Sequence, residues 1–191
     1  MGVRSTVFDG WLKQQMADAP NAVVIHIGCG MDSRVIRVGT ENHKWYDVDF
    51  PEVIEERKKY YAEQDNYKMI AGDARDCTWL TEIEEKKSAI VVMEGVSMYL
   101  TVDEMQNLAD KLCSYFENLT LLVDVYTSFG AKMSKRRNPI NDVGVTEVYG
   151  IDTPQTYQRK KFTFVKEHTM IPQEYIDELK GLERLVFAKL Y

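Results

Sequence analysis

Gly28-Cys29-Gly30 interrupts an apolar run, Val23-Val24-Ile25-His26-Ile27, and helix-compatible residues resume at Asp32-Ser33-Arg34. Without a Cβ at Gly28 or Gly30 the backbone can come close to a ligand, and the free N–H groups of the next helix point at whatever binds there. Asp47 and Asp49 follow 19 and 21 positions beyond Gly28. A carboxylate about 20 residues past such a turn is placed to accept hydrogen bonds from both hydroxyls of a ribose. Asp73 follows Gly72 and Glu94 precedes Gly95, so two further carboxylates stand beside glycines. Together these residues suit a nucleotide-derived cofactor, whereas the glycine pair alone would equally serve a tight turn that binds nothing.

The elements that must carry these residues alternate in type. Val3 to Ala17 places Val7, Trp11, Leu12 and Met16 at roughly helical spacing. Val23 to Ile27 reads as a strand buried on both faces, with His26 as a core histidine, and Asp32 to Val38 as a short helix ending at Gly39. Lys44 to Asp49 reads as a second strand. Pro51 fits the first turn of a helix from Glu52 to about Glu63, whose early glutamates favour the positive end of the dipole. A third strand at Tyr67 to Ala71, a short helix at Trp79 to Lys87 and a fourth strand at Ala89 to Met93 follow. Thr101 and Glu104 make a capping box ahead of Met105, Leu108, Leu112, Tyr115 and Phe116, which share one helix face. A fifth strand follows at Leu119 to Val125, then a helical stretch at Tyr126 to Arg137 and a mixed loop from Asn138 to Tyr157. The chain closes with strand patterns at Phe162 to Met170 and Arg184 to Leu190, separated by a short helix from Pro172. This order predicts an α/β protein with a doubly wound, mostly parallel sheet. Ligands of such sheets bind at the carboxyl ends of the strands, where Gly28, Asp49, Asp73 and Glu94 all fall.

A length of 191 residues suits a single domain, 1–191. The net charge of -6 argues against a nucleic-acid partner, and Lys132 to Arg137 reads as solvated surface. Neither a membrane span nor a secretory leader is evident, so the expected location is the cytoplasm. Cys29, Cys77 and Cys113 are odd in number and unpaired in spacing, which predicts neither a disulfide framework nor a metal site.

A nicotinamide dehydrogenase and a methyltransferase share the glycine turn and the acidic second strand. Ser33 occupies the third glycine position of G-x-G-x-x-G, which weakens the dinucleotide pattern, and no hydride-transfer constellation stands out. The segments HIGCGMDSR (26 to 34), WYDVDFPEVIEER (45 to 57), GDARD (72 to 76) and MEGVSMYL (93 to 100), with RSTVFDGWL (4 to 12) ahead of them, resemble the leucine carboxyl methyltransferase family, including its bacterial polyketide O-methyltransferase branch. The resemblance implies a Rossmann-like, seven-stranded sheet whose last strand is antiparallel, with S-adenosylmethionine as cofactor and S-adenosylhomocysteine as product. It further implies that Gly28 and Gly30 pack against the methionine and ribose, that Asp49 holds the ribose hydroxyls and that Asp73 and Ala74 meet the adenine. Glu94 and Arg4 would lie at the amino-acid end, with Arg4 paired to the carboxylate. Competing structural roles are a helix cap for Asp32, a surface position for Asp47 and a strand-end role for Glu94.

Members of that family carry a further helical region ahead of the RSTVFDGWL-like stretch, which here follows Met1-Gly2; without it the acceptor pocket would lack a wall. The expected reaction is methyl transfer to a carboxylate or hydroxyl of a small-molecule or protein acceptor. A carboxylate needs no base, a phenol-like hydroxyl would, and no catalytic base is assigned, His168 and Tyr126 being the residues considered. An NAD-binding oxidoreductase and a non-catalytic cofactor-binding protein are the alternatives.

Overall fold

The computed structural model describes residues 2–134, 147–168 and 180–181. Five parallel strands form one sheet in the order β3-β2-β1-β4-β5, namely β1 (Val23–Ile27), β2 (Trp45–Asp49), β3 (Tyr67–Ala71), β4 (Ser88–Met93) and β5 (Asn118–Val123). Helices α1 (Val3–Asp18), α2 (Arg34–Val38), α3 (Pro51–Arg57), α4 (Val102–Tyr115) and α5 (Ser128–Ser134) connect and cover it. The order runs outward from β1 in both directions, so the chain reverses between β1 and β4. That junction is where a doubly wound sheet opens a crevice at its carboxyl edge.

Alternate residues of each strand feed two cores. Val24, Trp45, Tyr67, Ile90 and Val92 pack under Phe8, Leu12, Met16, Val35 and Ile54 from α1 to α3. On the other face Ile25, Ile27, Val48, Val91 and Met93 meet Leu108 and Leu112 of α4, with Trp79 and Ile83 beside them. The buried stripe of α1 is Phe8, Leu12 and Met16, at i, i+4 and i+8, so Phe8 takes the inward position that the spacing suggested for Val7. At α4 the capping box is present in full: Thr101 Oγ1 accepts from the Glu104 N–H, and the Glu104 carboxylate accepts from the Thr101 N–H at 2.7 Å.

Several expectations need correction. The helix expected from Glu52 to Glu63 stops at Arg57, where the Arg57 side chain turns into the interior (below). The helix expected over Trp79 to Lys87 is a 3-10 turn, Thr78–Glu82, entered from Cys77 with a left-handed φ of 59°. The sheet has five strands among the described residues and not seven. Phe162 makes only an isolated bridge to Arg159, and residues 163–168 are exposed and form no strand: without a partner strand, their alternation buries nothing. The rest of that expected strand, the helix from Pro172 and the antiparallel strand at Arg184 to Leu190 lie outside the described residues. Among the described residues no helix is long and apolar enough to cross a membrane, and no cluster of His, Cys, Asp and Glu suits a metal ion.

Candidate functional site

The turn after β1 holds Gly28 at φ +67° and Gly30 at φ +49°, a region that L-residues with a Cβ avoid. The two glycines have different reasons for being there. A Cβ on Gly28 would meet Val96 Cγ2 at 2.2 Å, whereas one on Gly30 would meet nothing within 4 Å. Gly28 is thus fixed by packing against the turn that follows β4, and Gly30 leaves open space at the carboxyl edge. The turn is tied to β2, because Gly28 N–H donates to the Val48 carbonyl at 2.8 Å and Gly30 N–H to Asp49 Oδ2 at 2.7 Å. The second Asp49 oxygen accepts from the Phe50 N–H at 2.8 Å. A carboxylate offers about four acceptor sites, so Asp49, which is half-buried, retains capacity on its open side.

The other sequence-predicted residues line up along the same edge. Asp73, after β3, is gripped by Arg75, whose backbone N–H and Nε both lie 2.9 Å from Oδ1; these contacts hold its carboxyl below its ordinary range. Ala74 is half-buried against the α4-side core. Glu94, after β4, accepts from Arg4 Nε at 2.7 Å, from Ser5 Oγ at 3.1 Å and from Arg34 Nη2 in a short contact. Arg4 also reaches Asp124, after β5, at 3.0 Å, and its side chain is 41% exposed. Burial pushes the Asp124 carboxyl up, against the opposing pull of the Gly95 N–H and of Arg4.

Beneath this edge lies an ionic layer that the pattern of the chain conceals. Arg34 is fully buried and donates to Asp9 on α1 at 2.8 Å, to Glu94, and toward His26 Nε2 at 3.1 Å. Arg57 is fully buried too: it donates to Asp47 Oδ2 through Nε and Nη2 at 2.9 and 2.6 Å and to the Gly30 carbonyl through Nη1 at 3.0 Å. Asp47 accepts further bonds from Trp45 Nε1 and the Tyr67 hydroxyl. Burial alone would raise the Asp47 carboxyl, but His26, Arg57 and Tyr67 outweigh it and hold it below its ordinary value. Asp47 is therefore an interior anion and not a surface residue. Asp32 does not cap α2; it pairs with Arg37, which also grips Asp9 at 2.6 Å. Asp9, Arg34 and Arg57 were each inside the distinctive segments, yet their partners lie on other elements and no local periodicity exposes them.

Of the residues considered as bases, Tyr126 is half-buried against Met98, Ala131 and Val148, and His168 is exposed in an irregular segment. Cys29 and Cys77 are buried small core residues, and Cys113 is half-buried. An open concavity of about 710 Å³ lined by Lys86, Cys113, Tyr115 and Lys161 sits at the other end of the strands and shares no residue with the glycine edge.

A parallel sheet reversing at a glycine turn, with an acidic residue ending each of four strands, defines a Rossmann-like cofactor-binding protein. The fold is that of magnesium protoporphyrin IX methyltransferase from Synechocystis PCC 6803, solved with bound S-adenosylhomocysteine; the match has a TM-score of 0.51 at 16% identity and covers 76% of this chain and 64% of that one. The family model for leucine carboxyl methyltransferases matches residues 1–113, and the chain belongs to that family, which uses S-adenosylmethionine. By class it is an S-adenosylmethionine-dependent methyltransferase. It is 27% identical over 188 residues to the tetracenomycin polyketide synthesis O-methyltransferase TcmP of Streptomyces glaucescens, covering 97% of this chain and 70% of that protein. It is 30% identical over 127 residues to the S-adenosylmethionine-dependent methyltransferase dpfgK of Gibberella zeae, covering 62% of this chain and 43% of the relative.

Proposed function

We propose that this chain transfers a methyl group from S-adenosylmethionine to an oxygen acceptor, a carboxylate or hydroxyl of a small molecule or protein. The observation that carries the reading is the Asp49 clasp: one carboxylate fixes the Gly30 N–H at the point where the sheet reverses and still faces the open edge. The residues present fit the cofactor. Asp49 supplies acceptors for the ribose hydroxyls, and Gly30 gives its backbone room. Asp73 and Ala74 would meet the adenine, with Asp73 releasing part of its Arg75 contact to accept from the amino group. Glu94 suits the cofactor's ammonium, while the exposed side of Arg4 suits its carboxylate, held in place by Glu94 and Asp124.

When bound, S-adenosylmethionine supplies an electrophilic sulfonium methyl group and leaves as S-adenosylhomocysteine. The protein's own part is to orient the two reactants and exclude water, since the leaving group is already good. No base is assigned, which favours an acceptor ionised at neutral pH; the O-methyltransferase designation of the Streptomyces relative supports oxygen as the attacking atom. The reading also includes one domain over 1–191, an antiparallel strand near Arg184 to Leu190, no nucleic-acid partner and a cytoplasmic location, supported by composition and by the family resemblance.

Calorimetry with S-adenosylmethionine, S-adenosylhomocysteine and NAD tests the cofactor, and Asp49→Ala should weaken the first two while the domain stays folded. Binding of NAD alone would overturn the reading. A methyl-release assay across carboxylate and phenol acceptors tests the reaction, and cofactor binding without turnover on any acceptor would favour a non-catalytic protein.

A further inference from the structure

His26 lies at the centre of the ionic layer and has no role in the mechanism above. It is 1% exposed on β1, in register with Asp47 on β2 and Val92 on β4. Its Nε2 stands 3.1 Å from Arg34 Nη1, and a guanidinium nitrogen only donates. The lone pair must therefore be on Nε2 and the ring proton on Nδ1. That Nδ1 lies 3.5 Å from Asp47 Oδ1, facing the carboxylate, and is a buried ring nitrogen with no hydrogen-bond partner among the described residues. A second proton on Nε2 would oppose an Arg34 N–H directly.

One neutral imidazole thus separates two buried arginines with distinct duties. Arg34 holds Glu94 and ties α1 to the sheet through Asp9; Arg57 holds Asp47 and the Gly30 carbonyl. The charged groups facing the ring are Arg34, Asp47 and, through Arg34, Asp32 at 3.4 Å. We infer that His26 is a positioning residue for cofactor binding: as the Nδ1–H tautomer it accepts from Arg34 on one side, spaces it from the Asp47–Arg57 pair on the other, and so sets Glu94 relative to the glycine turn. This rests on the methyltransferase reading of that edge.

Ring-labelled nitrogen NMR of the full chain should show His26 protonated at Nδ1 and bare at Nε2. An Nε2–H tautomer or a doubly protonated ring would overturn the assignment. His26→Leu leaves a buried Arg34 N–H without an acceptor, and should weaken S-adenosylhomocysteine binding about tenfold or more. His26→Gln, whose amide oxygen reaches the place of Nε2, should restore binding to within about threefold of the original. If the leucine variant does not fold, His26→Asn, which reaches the place of Nδ1 but not that of Nε2, takes its part with the same expected loss. Equal binding by all the folded variants would overturn the positioning role. Absence of S-adenosylhomocysteine binding by the unaltered chain would instead overturn the cofactor reading, and with it the role, leaving the tautomer as a separate result.

Discussion

Removing Arg57 should strand a charge in the interior. Arg57 and Asp47 are both 0% exposed, so water cannot replace what either side chain loses. Arg57→Ala deletes two N–H bonds to Asp47 and one to the Gly30 carbonyl. Breaking one partner from a buried pair costs about 3–5 kcal/mol. Asp47 keeps its Trp45 and Tyr67 donors, which points to the lower end, about 3 kcal/mol, against a total stability of about 5–15 kcal/mol. In an Asp47→Asn background the guanidinium already lacks its anion, so deleting it should cost only about 0–1 kcal/mol, a coupling of about 2 kcal/mol or more. Urea unfolding gives all four corners of this cycle. Trp45 fluorescence is a local reporter, because its indole N–H bonds Asp47 at 2.8 Å. A loss below about 0.5 kcal/mol for Arg57→Ala, or equal losses in the two backgrounds, would refute the claim that the pair acts as a unit.

Three further outcomes follow from particular contacts. Gly28→Ala combines a left-handed φ with a collision against Val96 and should cost more than about 2 kcal/mol, partly recovered by Val96→Ala, while Gly30→Ala meets open space and should cost about 1–2 kcal/mol in thermal melts. Thr101→Ala should lose about 1 kcal/mol of stability in thermal melts, because it removes the side-chain acceptor of the Glu104 N–H at the start of α4. Asp47 and Asp32 are held below their ordinary value of 3.8 when folded, so the unfolded chain binds protons first on acidification. Their contribution is complete above about pH 5 and declines as pH falls through 3.8 toward the native values; urea melts between about pH 5 and 3 should show that slope, and Asp47→Asn should flatten it.

The sheet was legible because buried parallel strands announce themselves as apolar runs, and β1, β3 and β4 match their expected spans to within a residue. The α4 start was legible because its capping box is a local device of four residues. The ionic layer was not. Asp47 sits between Tyr46 and Val48 as any outward strand residue would, and Arg57 ends a charged stretch, Glu55-Glu56-Arg57-Lys58-Lys59, that reads as solvated helix. Only the sheet register, which puts Asp47 beside His26 and under Arg57, reveals a buried pair. The helix expected from Glu52 to Glu63 runs past the end of α3 for the same reason: one of its charges, Arg57, belongs inside. Four of the edge residues, Gly28, Gly30, Asp49 and Glu94, were legible by position, but Arg34, which holds Glu94, Arg57, which holds the Gly30 carbonyl, and Asp124, which holds Arg4 and the Gly95 N–H, were not, because their partners lie on other elements. Gly95, at φ +74° beside Arg4, carries a signal only in its type.

Arg4 meets Glu94 and Asp124 across 90 and 120 residues of chain. At about 5–20 residues added per second during synthesis, the guanidinium in the first turn of α1 waits on the order of ten seconds for its second anion to emerge. Through that interval the glycine turn can form with β2, but the Arg4 end of the edge is still unwritten. A ligand spanning both ends would therefore distinguish nascent chains halted before β5 from those that have passed it, and its capture would time the completion of the sheet.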